Sequence, residues 1–314
     1  MKILITGIHG FVGSNLVSYL SKDNELYGLD IIAPEKKGIL KTYSWDDLDA
    51  DVIPVVDAIV HLAGKAHDTK SHDNADVYFK VNRDLTIKVF DYFCTHPSIE
   101  KFVFFSTAKA AADRVTGILK EDIVPSPIGP YGQSKIAAEN YILRKISDCW
   151  KCNDKQVYIF RPCMIHGPGN KGNLNLLYNF VKKGFPWPLG AFDNRRTFTS
   201  IGNICYVVNG VLTTDIPSGI YNMGDDEALS TNELIEEICK SLGKKARIWK
   251  LPKRIISLMA KIGGLLHFQL NTERLQKLTE NYVSSNEKIK KAFNIEKMPV
   301  NARDGLRVTL ESFK

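Results

Sequence analysis

Tyr131 and Lys135 form the pair with the clearest chemical meaning. They stand four residues apart in Tyr-Gly-Gln-Ser-Lys, a spacing that puts both side chains on one face of a helix. A nearby ammonium favours the phenolate and lowers a tyrosine pKa. Such a phenol can act as general base or acid toward a hydroxyl or a ketone. The pair alone arises often by chance. Its weight comes from following a glycine turn, an acid at a strand end and Phe104-Phe105-Ser106-Thr107, in that order.

The glycine turn is Gly7-Ile-His-Gly10-Phe-Val-Gly13. It follows an apolar run at 2–6 and opens a helical pattern from Phe11 to Leu20, the context that gives such glycines meaning. One glycine makes the turn, one lets the backbone approach a pyrophosphate, and one brings helix against strand. The first helical residues, Phe11 and Val12, then offer free N–H groups and a partial positive charge. A tight strand-to-helix turn needs glycine for structural reasons too, so the spacing counts only with its surroundings. Asp30 closes the second strand, 17 residues after Gly13. An acid there can accept from both ribose hydroxyls and repels a 2′-phosphate. No arginine follows closely, so the expected cofactor is NAD.

Regular alternation positions these groups. Strands are expected at 2–6, 25–30, within 52–62, at 101–105 and at 156–160, with helices at 11–20, 80–93 and 131–147. That order specifies an α/β fold, a Rossmann-type doubly wound parallel sheet covered on both faces. After about residue 167 glycine and proline punctuate the chain, and helices then dominate from Thr231 onward. The expected division is an NAD-binding domain over 1–168, rejoined by 197–228. A smaller, mainly helical substrate domain follows over 169–196 and 229–314.

Bulk properties narrow the class. With 44% hydrophobic residues among 314, the chain is ordinary for a globular protein. Six scattered cysteines fit free thiols in a reducing compartment. Cys149-Trp-Lys-Cys152 lies between a helix and a strand without a second pair, and His61, His67, His72 and His166 lack ligand spacing. No metal is expected. The formal charge of +7 is spread along the chain, with Lys36-Lys37 and Lys288 to Lys291 as solvated faces. It favours an anionic small substrate over nucleic acid. The apolar run at the N-terminus is too short for a signal peptide, and no segment reaches the length of a membrane span; a cytoplasmic enzyme is expected. Ile255 to Phe268 comes nearest to a span. A helix packed in the second domain is the preferred reading there, with surface attachment to a membrane the lesser one.

The chain resembles an extended short-chain dehydrogenase/reductase of the UDP-glucose 4-epimerase group. The matching pieces are GIHGFVG at 7–13, Asp30, HLAG at 61–64, Asn82 with Thr86, FFST at 104–107, YGQSK at 131–135 and RPCMIHGPG at 161–169. KGNL at 171–174, PLG at 188–190, NRRTF at 194–198 and Asn203 follow. The later motifs most resemble a bacterial branch acting on N-acetylated UDP-sugars for surface polysaccharides.

The resemblance implies roles. Tyr131 is the catalytic acid/base, Lys135 binds the nicotinamide ribose, and Thr107 hydrogen-bonds the reacting sugar oxygen, with Ser106 on the cofactor side. Leu62, Ala63, Gly64 and Lys65 line the cofactor, supported by Asn82. Asn173 and Leu174 hold the nucleotide diphosphate of the substrate, Arg196 grips its phosphates, and Arg274 is a second clamp. A planar guanidinium suits that task because it meets two phosphate oxygens at once. The resemblance also implies a homodimer built on the helices 80–93 and 131–147. Val89, Phe90 and Phe93 are compatible with that, and equally with burial inside one subunit.

Three positions depart from the family pattern: Leu85 for glycine, Met164 for asparagine and His166 for tyrosine. The short stretch from Asp30 to Val56 leaves Asp46 and Asp47 as candidates for the adenine contact. The expected reaction is 4-epimerisation of a UDP-hexose or UDP-N-acetylhexosamine through a 4-keto sugar. Reduction of a UDP-4-keto-6-deoxy-N-acetylhexosamine uses the same groups and is the alternative, and a non-catalytic NAD-binding regulator the remote one. A dehydratase is disfavoured because Ala108-Lys109, not an acid pair, follow Thr107.

Overall fold

The computed structural model describes residues 1–32, 34–65, 75–148, 155–170, 172–265 and 271–314, without the side chains of 263–265, 273, 274 and 277. The Cys149–Cys152 pair, His67 and His72 lie outside the described residues.

The first half of the chain comprises β1 (Lys2–Thr6), α1 (Phe11–Leu20), β2 (Glu25–Leu29), β3 (Lys41–Tyr43), α2 (Trp45–Asp49) and β4 (Ala58–His61). It continues with α3 (Ala75–Tyr78), a π-helical turn (Phe79–Asp84), α4 (Leu85–Thr95), β5 (Lys101–Phe105), α5 (Ala108–Ala111), β6 (Ile118–Leu119) and α6 (Pro130–Asp148). The second half holds β7 (Gln156–Pro162), β8 (Met164–His166), α7 (Asn173–Lys182), β9 (Phe198–Ser200), α8 (Ile201–Thr213) and β10 (Gly219–Met223). Its last elements are α9 (Thr231–Ser241), α10 (Lys253–Leu265), α11 (Thr272–Thr279), β11 (Val283–Ser284), α12 (Glu287–Phe293) and α13 (Ala302–Glu311).

Seven strands make one sheet in the order β10-β7-β5-β4-β1-β2-β3, and every pairing is parallel. Apolar runs such as Lys101-Phe-Val-Phe-Phe105 suit this because helices cover both faces. Alternate residues of one strand enter opposite cores. Ile3 and Ile5 pack with Leu16 and Val17 of α1 and Ile204 and Val208 of α8. Leu4, Ile59, Phe102 and Phe104 pack with Val89 and Phe90 of α4 and Ala138 and Ile142 of α6. A third core, separate from the sheet faces, joins Tyr178, Trp187, Leu189, Leu234, Ile238, Ile256, Leu306 and Leu310.

Neighbours β2 and β4 flank β1, so connections leave β1 in opposite directions and open a crevice at its carboxyl end. Thr6, Leu29 and His61 lie level there, with Phe105 ending β5 beside Phe160.

Several details differ from the sequence reading. β3 pairs with β2 in a stretch for which no element was expected, and β4 begins at Ala58. The helix expected from Lys80 begins at Ala75 and passes through the π-helical turn that carries Asn82. Val89, Phe90 and Phe93 are fully buried inside the subunit, so they supply no surface for a second copy.

Candidate active site

Gly7 has φ +70, and a Cβ there would lie 2.9 Å from the Ala63 nitrogen. A Cβ on Gly13 would sit 2.3 Å from the Gly7 carbonyl oxygen. The loop therefore closes on both β4 and α1 with backbone-to-backbone contact that only glycine permits. Gly10 is the N-cap of α1, and no side chain caps that end, which leaves the Phe11 and Val12 amides at a positive helix terminus. The Asp30 carboxylate accepts from His9 N at 3.1 Å and Ile31 N at 2.8 Å, which aims it along the glycine loop.

Lys36 corrects an expectation. Rather than belonging to a solvated face, its ammonium donates to Ser14 Oγ at 2.9 Å. Its pKa is lowered, by burial against an opposing pull from Asp30. Asp47 is likewise committed, to the capping box of α2 with Ser44.

Below the crevice, polar groups lock the loop after β4. Thr6 Oγ1 accepts from Leu62 N at 3.0 Å and Ala63 N at 2.9 Å. Asn82 Oδ1 accepts from Lys65 N at 2.7 Å, while its Nδ2 donates to Lys65 O and to Ser134 Oγ on α6. A Cβ on Gly64 would meet Asn82 Oδ1 at 3.0 Å and Lys135 Nζ at 3.1 Å. Gly64, Lys65, Asn82 and Lys135 thus converge on one spot.

The Thr107 hydroxyl lies near enough to the Tyr131 phenol to lower its pKa. Thr107 is the N-cap of α5, its hydroxyl accepting from Lys109 N at 3.3 Å. The Tyr78 ring meets the Tyr131 ring edge-on, 6.3 Å between centroids.

The expectation of a lowered tyrosine pKa is not met in this structure. Burial raises the Tyr131 phenol, the nearby Thr107 hydroxyl pulls the other way, and Tyr78 raises it further. The Lys135 ammonium donates to Phe105 O at 2.8 Å and lies 4.8 Å from the Phe104 ring centroid. Burial brings its pKa down to about 8, opposed by Glu139. Shared sequence spacing put the two residues on one helix, but the carbonyl that ends β5 sets where the ammonium points.

Ser106 also differs in placement. Its hydroxyl bonds to Glu139, whose carboxylate takes Arg161 Nε at 3.1 Å and Nη2 at 2.5 Å. All three are buried, so this hydroxyl is committed beneath the site.

On the expected substrate side, Asn173 begins α7 at the surface, whereas the Leu174 side chain belongs to the third core. Arg196 bridges Leu229 and Tyr282 through its backbone. Burial lowers its pKa, with Glu280, Cys163 and Tyr282 acting in the opposite direction. Tyr282, which sequence reasoning missed, donates to Ala112 O at 2.8 Å and lies under Lys109 Nζ at 5.4 Å from the ring centroid. It thereby joins the Arg196 segment to the short helix that Thr107 caps. Cys163, also missed, is a thiol whose burial pushes its pKa up to about 12. No local pattern in the sequence marks either residue. Arg274 lies on α11, and its side chain is outside the described ones. His166 is buried, its Nδ1 paired with Thr309 Oγ1 at 2.9 Å. Among the described residues, no three His, Cys, Asp or Glu side chains gather as a metal site would require.

A family model described as the NAD dependent epimerase/dehydratase family matches residues 3–224. The chain belongs to that family, and it is an enzyme of NAD-dependent sugar-nucleotide chemistry. It is 28% identical over 267 residues to the UDP-glucose 4-epimerase of Vibrio cholerae, covering 80% of this chain and 78% of that one. It is 27% identical over 261 residues to the N-acetyl-alpha-D-glucosaminyl-diphospho-ditrans,octacis-undecaprenol 4-epimerase of Escherichia coli O157:H7, with 80% and 75% covered. The fold matches that of the UDP-glucuronic acid 4-epimerase of Bacillus cereus in complex with UDP-glucuronic acid and NAD. The TM-score is 0.77 at 21% identity, over 100% of this chain and 99% of that one. NAD is the cofactor, and the glycine cradle, the uncapped α1 terminus and the Asp30 carboxylate fit a pyrophosphate and a ribose diol.

Proposed function

We propose that the protein is an NAD-dependent nucleotide-sugar 4-epimerase acting on a UDP-hexose or UDP-N-acetylhexosamine. The observation that carries this reading is the grouping of Tyr131 and Lys135 on α6 with Thr107 just after β5, the Thr107 hydroxyl near enough to act on the phenol. The two relatives above support it, since both names specify epimerisation at C4.

Asp30 would hold the adenosine ribose, the Phe11 and Val12 amides the pyrophosphate, and Lys135 with Lys65 and Asn82 the nicotinamide ribose. Bound NAD supplies the group that takes a hydride from the sugar and returns it. Thr107 holds the 4-oxygen of the sugar, and Tyr131 Oη removes its proton and later gives it back. Arg196 and Asn173 hold the diphosphate, so the hexose can turn while its carrier stays fixed. Tyr78 walls one side of the phenol and limits water there. Two copies of the chain form the expected dimer, through surfaces other than Val89, Phe90 and Phe93.

The test is incubation of the purified protein with UDP-glucose, UDP-N-acetylglucosamine and their C4 epimers, without added cofactor. Interconversion is expected, and Tyr131→Phe lowers it by about 10²–10⁴-fold while leaving NAD bound. NADH consumption with a UDP-4-keto-6-deoxy sugar, and no interconversion, would replace the epimerase by a reductase. Silence in both assays with NAD bound would remove the catalytic reading.

A further inference from the structure

The helix α10 carries two apolar faces where its place in the fold uses only one. Ile256 and Ala260 pack into the third core. Ile255, Leu258, Met259 and Ile262 stand on the other side, each 49–59% exposed. Their spacing of three, four and seven residues makes a single stripe along the helix. Trp249, just before it, is 55% exposed as well.

Charge says what would cover this stripe. Between Lys244 and Thr272 lie Lys244, Lys245, Arg247, Lys250, Lys253, Arg254 and Lys261, with no Asp or Glu. The other 35 Lys and Arg of the chain are matched by its 35 Asp and Glu, so this one segment accounts for the whole formal charge of +7. All seven are exposed, and among the described residues none forms an ion pair. An apolar stripe beside exposed cations with no acid to neutralise them is the pattern of a helix lying in an anionic lipid interface. Two copies packed through the same stripe would bring these cations together, which opposes self-association. At 13 residues the helix is about 20 Å long, short of the roughly 30 Å hydrocarbon core of a bilayer. No described helix is long and apolar enough to cross a membrane.

The segment also touches the expected substrate side. Trp187 and Leu189 bridge to Ile248 and Lys250, and Lys253 Nζ lies 5.5 Å from the Phe192 ring centroid. We propose that Trp249 and the outer face of α10, with Lys250, Lys253, Arg254 and Lys261, form a docking surface for an anionic lipid bilayer. The inference stands apart from the choice of reaction.

The experiment is co-sedimentation of the full-length protein with vesicles of phosphatidylcholine alone or mixed with phosphatidylglycerol, at low and high salt. Binding is expected only to the mixed vesicles, and high salt weakens it. Leu258→Ser lowers partitioning about tenfold or more, and Lys261→Gln about fivefold. Both sites face outward, so melting temperature and NAD retention stay near those of the parent. Lys261→Gln keeps the test open should the apolar change disturb folding. No binding to the mixed vesicles overturns the proposal, as does equal, salt-insensitive binding to both kinds. Light scattering that shows a dimer lost in Leu258→Ser, with vesicle binding unchanged, overturns it in favour of a contact between copies.

Discussion

His61 ends β4 directly beneath the crevice, and its protonation is fixed by its neighbours. Thr86 Oγ1 donates to Asn82 O at 2.7 Å, so it can only accept from His61 Nε2, 3.0 Å away. Thr6 Oγ1 already accepts from two amides, so its proton goes to His61 Nδ1 at 2.8 Å. The ring is therefore the neutral Nε2–H tautomer, and burial, with Lys135 adding to it, lowers its pKa to about 3. Between about pH 6.5 and 3 the unfolded chain takes up a proton that the folded one refuses, so stability present above 6.5 is lost on acidification. Lowering the pH from 6.5 to 5 removes about 2 kcal/mol through this residue. Urea denaturation of the parent and His61→Gln should show that gap narrowing between pH 7 and pH 5, and a constant gap would mean that the ring protonates in place. Lys135 behaves analogously at higher pH. Its charged form is disfavoured by burial, so Lys135→Met should gain stability relative to the parent at pH 7, and that gain should shrink as pH rises through about 8. The Tyr131 and Lys135 pair was legible because it depends on helical spacing. The pKa directions of the two were not, because burial sets them and spacing does not report burial.

At the scale of elements, α1 and α6 do the positioning by different means. The approach of α1 to β1 rests on Gly13, where the first atom of any side chain would strike the Gly7 carbonyl at 2.3 Å. Gly13→Ala should cost about 1–3 kcal/mol and weaken NAD binding in a fluorescence titration more than any substrate contact, since the α1 terminus moves off the pyrophosphate. The helix α6 is held by a buried ion pair. Glu139, one turn beyond Lys135, receives Arg161 of β7 and the hydroxyl of Ser106 after β5, fastening the helix to two strands. Removing one partner strands a buried charge, so Glu139→Gln should lose about 3–5 kcal/mol in denaturant titration, with Lys135 deprotonating at lower pH once the carboxylate is gone. Elements with a strong apolar period were readable to within a few residues, as at Phe11–Leu20 and Lys101–Phe105. The strands Lys41–Tyr43, Ile118–Leu119 and Val283–Ser284 were not. Each has two or three residues and exists because a distant partner accepts its hydrogen bonds: β11 lies beside β6 across more than half the chain.

Across the whole molecule, the last helix ties β8, β9 and α8, the helix that covers one face of the main sheet, to the third core. Leu306 and Leu310 of α13 are buried in that core, while Thr309 pairs with His166 and Gly305 lies against Ser200 so closely that a Cβ would come within 2.7 Å. The approach to α13 is fixed by Asn203 on α8, whose amide donates to Val300 O at 2.8 Å and accepts from Val300 N at 2.9 Å. Glu227 accepts from Ala302 N at 2.9 Å. These bonds bring residues near 200, 225 and 300 together, a closure that no local pattern announces. His166 was singled out in the sequence without its partner, 143 residues away. A shared fastening of this kind makes the two regions unfold together. Leu306→Ala should remove about 2–5 kcal/mol from the third core and loosen its hold on the sheet. Single-tryptophan proteins keeping Trp45, which packs against the sheet core, or Trp187, in the third core, report the two regions separately. Their denaturation curves should coincide in the parent background and separate with Leu306→Ala, the Trp187 transition falling to lower denaturant. Curves that shift together would show that the fastening survives the cavity, and curves already apart in the parent would show that α13 couples nothing.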